Sequence, residues 1–226
     1  MPAKYLTLLL TCFYLSVFGQ LRLEFQVNGS VAKVTISNNS KDSYAIPLET
    51  EHFRPYEPLC DNYQEYEDSF PGLGLMLMIE KQSTNELLTY YVQDYVDPDK
   101  FDSIAKEYQK QKIANDHLIE EWKRIHKIAK VKDAKINYDI MNNLLFLKPY
   151  ESISYKVNIN LNNITNQKFK FYSYSYDSHQ SYRYYLEYCS PAKAYGYLTK
   201  QQKNTIKEKG YKLFYEKLRS NVIMVK

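Results

Sequence analysis

Glycine is scarce in this 226-residue chain, with 6 in all, and proline is ordinary at 8. That composition excludes collagen-like and Pro/Gly-rich disordered chains. No apolar run reaches the roughly 20 residues a spanning helix needs, and mean hydropathy is −0.56, which excludes a polytopic helical membrane protein. Catalytic signatures are missing as well. There is no H-E-x-x-H, no G-x-S-x-G, no P-loop and no dinucleotide fingerprint. The four histidines, His52, His117, His126 and His179, lack the i, i+4 spacing that aims two imidazoles at one metal. What the chain has in abundance is tyrosine, 24 against 10 Phe and a single Trp. The length suits one large domain or two small ones.

Residues 1–19 read as a secretory signal peptide. Lys4 precedes an apolar stretch from Tyr5 to Phe18, and Val17-Phe18-Gly19 offers a cleavage site. No stop-transfer segment follows, so the expectation is a secreted or periplasmic chain of residues 20–226 with no transmembrane anchor. Lipidation at Cys12 is the weaker alternative, because Thr11 precedes it and an apolar segment follows. Cleavage removes Lys4 and leaves a net charge of +3. Two cysteines then remain, Cys60 and Cys189, which either pair in one disulfide or stay as buried thiols.

Strict alternation opens the mature chain. Leu21, Leu23, Phe25 and Val27 predict one strand, Asn28-Gly29 a hairpin turn, and Ala32, Val34 and Ile36 a second strand. Tyr44 and Ile46 start a third, which Pro47 ends. Residues 48–72 read as a long acidic loop, and Leu73 to Ile79 and Leu87 to Val96 as two further strands. The period then changes. Stripes through Phe101, Ile104 and Tyr108 and through Ile119, Trp122 and Ile125 predict two helices, or one bent helix, over about 99–131, with a break or a second N-cap at Asn115-Asp116. Alternation returns at Leu144 to Leu147 and at Ile153 to Leu161. Phe169 to Tyr176 forms another strand, with a change of face that suggests a bulge. Tyr182 to Tyr188 follows. Thr199 to Lys209 predicts a short helix closed by Gly210, and Tyr211 begins a final strand kinked near Ser220-Asn221.

Several segments resemble immunoglobulin-like β-sandwich domains of secreted proteins from Gram-negative bacteria. They are Thr35-Ile36-Ser37-Asn38-Asn39-Ser40 with Tyr44-Ala45-Ile46-Pro47, then Leu147-Lys148-Pro149-Tyr150-Glu151-Ser152, Tyr182 to Tyr188, and Ser220 to Lys226. The resemblance implies a fold and no activity. Together with the strand count it gives the expected class: a mainly β, single-domain, immunoglobulin-like antiparallel sandwich, with a helical insertion at about 99–131 and a short helix at about 199–209.

Candidate sites are few. Asp61, Glu65, Glu67 and Asp68 form an acidic stretch that Ca²⁺ favours, yet without the ligand spacing of a calcium loop. Nine acidic residues against Arg54 alone occupy 42–80, and nine basic residues against Glu208 and Glu216 occupy 192–226. Export and the modest net charge argue against nucleic acid as the partner of the basic segment. Nine tyrosines fall within 172–197, and alternation sends some inward and some outward. Tyr174, Tyr176 and Tyr185, with Trp122 on the insertion, are therefore the candidate ligand-binding residues. The leading expectation is an exported non-enzymatic binding or structural module, without a cofactor, that contacts an envelope protein or a glycan. One alternative is a polysaccharide- or peptidoglycan-acting hydrolase using carboxylates of 57–68. The other is an inhibitor or assembly factor that uses the helical insertion.

Overall fold

The computed structural model describes residues 20–56, 72–94, 100–166, 168–189 and 192–225. The two opening apolar rows form β1 (Leu21–Asn28) and β2 (Val31–Asn38), antiparallel, with Leu23 opposite Ile36 and Phe25 opposite Val34. Their loop is the pair Gly29–Ser30, one residue later than the Asn28-Gly29 signal suggests. Gly29 alone carries positive φ there, as a II′ hairpin requires. β8 (Ser152–Asn158) joins the free side of β2. The outer face of this sheet is polar, with hydroxyl pairs Thr35–Ser154 at 2.7 Å and Ser37–Ser152 at 2.8 Å.

The second sheet centres on β5 (Gly74–Lys81) and β10 (Tyr182–Tyr188), which are antiparallel. β4 (Glu49–Arg54) lies parallel to β5, and β12 (Leu218–Arg219) and β13 (Ile223–Val225) share the far edge of β10. The inward rows of both sheets meet in one core. Leu23, Phe25, Val34 and Ile36 belong to it, as do Leu75, Leu77, Ile79, Tyr184, Leu186 and Tyr188. Burying each such side chain contributes about 1.5–3 kcal/mol, so this core dominates folding.

A third sheet carries β3 (Ser43–Pro47) between antiparallel β7 (Leu144–Leu147) and parallel β11 (Tyr211–Leu213). β3 is buried on both faces. Tyr44 and Ile46 enter the shared core, whereas Ala45 enters a second core with Ile136, Ile140, Ala194, Tyr195, Leu198 and Ile206. Those residues come from α2 (Val131–Asn142), a 3-10 helix (Ala192–Tyr197) and the segment through α3 (Lys200–Glu208). β6 (Tyr90–Asp94) and β9 (Lys170–Tyr174) form a separate ribbon, and α1 (Phe101–His126) follows β6 in the chain. Strand makes up 39% and helix 30%, so the fold is mainly β with several sheets.

Five expectations need correction. The insertion does not break at Asn115-Asp116. α1 runs through both residues, which are exposed and so cost only a weak propensity penalty. The break falls at Lys127, in the left-handed region at φ 54°, and a second full helix follows, well past 131. The 48–72 loop contains β4. Tyr211–Leu213 is not the start of the last strand but a parallel partner of β3, and two of the pairings are parallel where an all-antiparallel sandwich has none. β9 pairs in regular register with β6 and carries no bulge; the register shift lies in β4 instead. The kink near Ser220-Asn221 is present, separating β12 from β13. So is the C-terminal helix, whose Thr199 N-cap and Gln202 form a capping box.

Candidate interaction surface

α1 is 26 residues long, about 39 Å at helical rise, and Ile119 is its one buried residue. Phe101, Tyr108, Ile113, Leu118 and Ile125 are 41–61% exposed along it. Its first half touches the ribbon side through Tyr108, edge-on to Phe169 at 5.3 Å, and through Glu107, bonded to Lys168 at 2.7 Å. The exposed ion pair adds little stability, so this half is held loosely.

The C-terminal half is held differently. Trp122 donates its indole N–H to Asn137 Oδ1 at 2.9 Å and packs edge-on to Tyr138 at 5.2 Å. Asn137 is fully buried on α2. Its amide nitrogen donates to the Tyr197 carbonyl at 2.8 Å and to Gln202 Oε1 at 2.7 Å, and its oxygen also accepts from Gln202 Nε2 at 2.9 Å. Gln202 Oε1 accepts in addition from the Thr199 N–H. One buried amide thus ties α1, α2, the 3-10 helix and α3 together. A buried polar network is sound only when every member is satisfied, and this one is. No periodicity in the sequence flags Asn137; the Thr199-x-x-Gln202 spacing of a capping box is the signal that could have pointed to Gln202.

The other predicted residues do not assemble into one face. Tyr174 is buried in the shared core, donating to the Leu77 carbonyl at 3.0 Å and accepting from the Tyr56 N–H at 2.7 Å. Tyr185 is buried on the opposite face of β10, with Met76, Met78 and Cys189. Only Tyr176 of the three is exposed. Of the nine tyrosines in 172–197, six are buried: Tyr174, Tyr182, Tyr184, Tyr185, Tyr188 and Tyr195. Trp122 serves as an anchor of the insertion. Cys189 is buried and disulfide-bonded. Cys12, Cys60, Asp61, Glu65, Glu67 and Asp68 lie outside the described residues, as does the signal segment.

Two charged clusters went unforeseen. On the outer face of the second sheet, Glu80 accepts from the Tyr185 hydroxyl at 2.6 Å and pairs with Arg183 at 3.0 Å, while Arg219 lies over the Tyr185 ring at 3.9 Å. Burial pushes the Tyr185 hydroxyl well above its ordinary pKa, and the bond to Glu80 adds to this. With the arginine against it the ring is 3% exposed, which leaves no face for a sugar to stack on. On β4, His52 Nδ1 meets Glu49 at 2.7 Å, and the Glu49 charge is felt at Asp139 of α2. Burial lifts the Asp139 carboxyl to about 6; Lys135 opposes the shift and Glu49 adds to it. No nucleophile stands in hydrogen-bond contact with this imidazole among the described residues. Nor do three or more His, Cys, Asp or Glu gather there to hold a metal ion.

No family model, curated protein or solved structure matches the chain. Among the described residues no helix is long and apolar enough to cross a membrane.

Proposed function

We propose that the chain is an exported, non-catalytic binding module of the cell envelope or extracellular space, built on an immunoglobulin-like sandwich, and that its helical insertion contacts a protein partner. The observation that carries this reading is α1, a helix with one buried residue and five exposed large apolar ones, anchored at its C-terminal half by a satisfied buried network. Apolar side chains strung along an exposed helix are a feature of helix-in-groove recognition. The disulfide at Cys189 supports an oxidising compartment, and the signal-like N-terminus agrees with it.

The test is capture from an envelope extract by the 20–226 chain and by a variant carrying Leu118→Asp and Ile125→Asp. Both positions are exposed, so folding is expected to survive. The expected result is a partner retained by the parent chain and lost by the variant. Equal capture by the two chains, or no retained protein, overturns the reading.

A further inference from the structure

α3 carries a line of charge that its packing does not need. Lys200, Lys203 and Lys207 recur at i, i+3 and i+7 and so share one exposed face, about 10 Å long. Gln202 and Ile206, buried, hold the other side of the helix. Lys193 and Lys209 flank it, also exposed, and Glu208 is the helix's one acid. Among the described residues the three stripe ammoniums have no ion-pair partner, whereas those of Lys81, Lys123, Lys168 and Lys212 each have one. Like charges three and four residues apart weaken a helix. Here the helix keeps them, and the capping box and the Asn137 amide fix its orientation.

We propose that this face binds an acidic polysaccharide, one bearing carboxylate or sulfate groups along its chain. A linear array of fixed cations suits a linear polyanion. A membrane surface suits it less, because the apolar side of α3 is spent on the second core and leaves nothing to insert. Single-stranded nucleic acid needs free aromatic platforms. No row of free rings lies nearby: Tyr195 is buried and donates to the Phe214 carbonyl, Tyr211 packs against Phe146, and Tyr215, though exposed, is a single ring held edge-on to Tyr195. The proposal concerns a different element from α1 and stands whether or not the arm binds a protein.

The test is anisotropy at low salt with the full chain and fluorescein-labelled polygalacturonate, dextran sulfate and neutral dextran, beside a short DNA duplex and phosphatidylglycerol vesicles. Both acidic polymers are expected to bind and neutral dextran is not. Substituting Lys200→Gln, Lys203→Gln and Lys207→Gln together weakens binding at least about tenfold, and the corresponding Lys→Arg variant retains it. A control with Lys106→Gln, Lys110→Gln and Lys112→Gln on α1 makes the same change in net charge and is expected to bind as the parent does. Tighter binding to duplex or vesicles than to both polysaccharides overturns the proposal. So does an equal loss in the α1 control, or no binding of either acidic polymer. Arm variants leave this readout unmoved, so its failure is distinguishable from failure of the protein-partner reading.

Discussion

Asn221 completes β1 by standing in for a strand. Its side-chain oxygen accepts from the Phe25 N–H at 2.8 Å and its amide nitrogen donates to the Phe25 carbonyl at 2.9 Å. Both open-edge groups of Phe25 are satisfied by one planar amide, which links the first sheet to the kink between β12 and β13. Asn221→Ala leaves both groups without that partner and is expected to cost about 1–2 kcal/mol in urea unfolding. Asn221→Asp keeps the acceptor alone and is expected to fall between.

Asn137→Leu keeps the number of side-chain heavy atoms, in a bulkier shape, and removes every hydrogen bond that the Asn137 side chain makes. It strands the Trp122 indole N–H, the Gln202 Nε2 and the Tyr197 carbonyl, so a loss of about 2–4 kcal/mol is expected. Trp122 is the only tryptophan, so its emission reports on the junction directly. A red shift is expected in the variant; an unchanged spectrum would mean the indole is held by packing alone.

Asp139 sets a pH dependence of stability. Its folded pKa of about 6 exceeds the ordinary 3.8 because burial disfavours its charge. The native state therefore binds more protons than the unfolded state between those values, and stability falls as pH rises from about 4 to about 6. Asp139→Asn is expected to flatten that step and to raise stability at pH 7 by on the order of 1–2 kcal/mol. Thermal unfolding at pH 4, 5, 6 and 7 measures it, and parallel curves for the two chains would refute it.

Gly72 sits at φ 55° against the Arg54 guanidinium, and a Cβ there would lie 2.5 Å from Nη1. Gly72→Ala combines backbone strain with a clash against a buried arginine that also donates to the Gly72 carbonyl at 2.7 Å. A loss of about 1–3 kcal/mol is expected. Gly196→Ala, where nothing lies within 4 Å of the added Cβ, is expected to change little.

For the disulfide, we propose Cys60 as the partner of Cys189. Peptide mapping without reduction is expected to yield one linked pair holding both cysteines. Reduction removes at most about 4–5 kcal/mol on the chain-entropy account. A linked peptide joining Cys189 to any other cysteine rules the pairing out.

What the sequence made legible was local and periodic. The β1–β2 pairing followed from alternation on both sides of a turn signal, and α3 from a polar helical segment closed by a terminal glycine. α2 was hidden because its apolar stripe of Ala134, Ile136 and Ile140 is interrupted by Asn137, a polar residue that is itself core. β4 was hidden because only Phe53 and Arg54 are buried and its pairing with β5 shifts register. β11 was misplaced because a parallel partner some 170 residues distant leaves no trace in local pattern, as the exposed Lys212–Asp42 ion pair across the same junction illustrates. The tyrosines showed the same limit. Alternation said that some point inward, but Tyr184 and Tyr185 lie on opposite faces of β10 and both are buried, because the outer face of β10 is itself covered.

Ala45 and Ile46 are neighbours in sequence that belong to different cores. A strand so placed cannot leave one without leaving the other. The shared core of the sheets and the helical layer must therefore open together as one cooperative unit, and the amides of β3 should exchange with solvent only through global unfolding. The base on which α1 is mounted is then as durable as the whole fold, while the outer half of that helix is left to breathe.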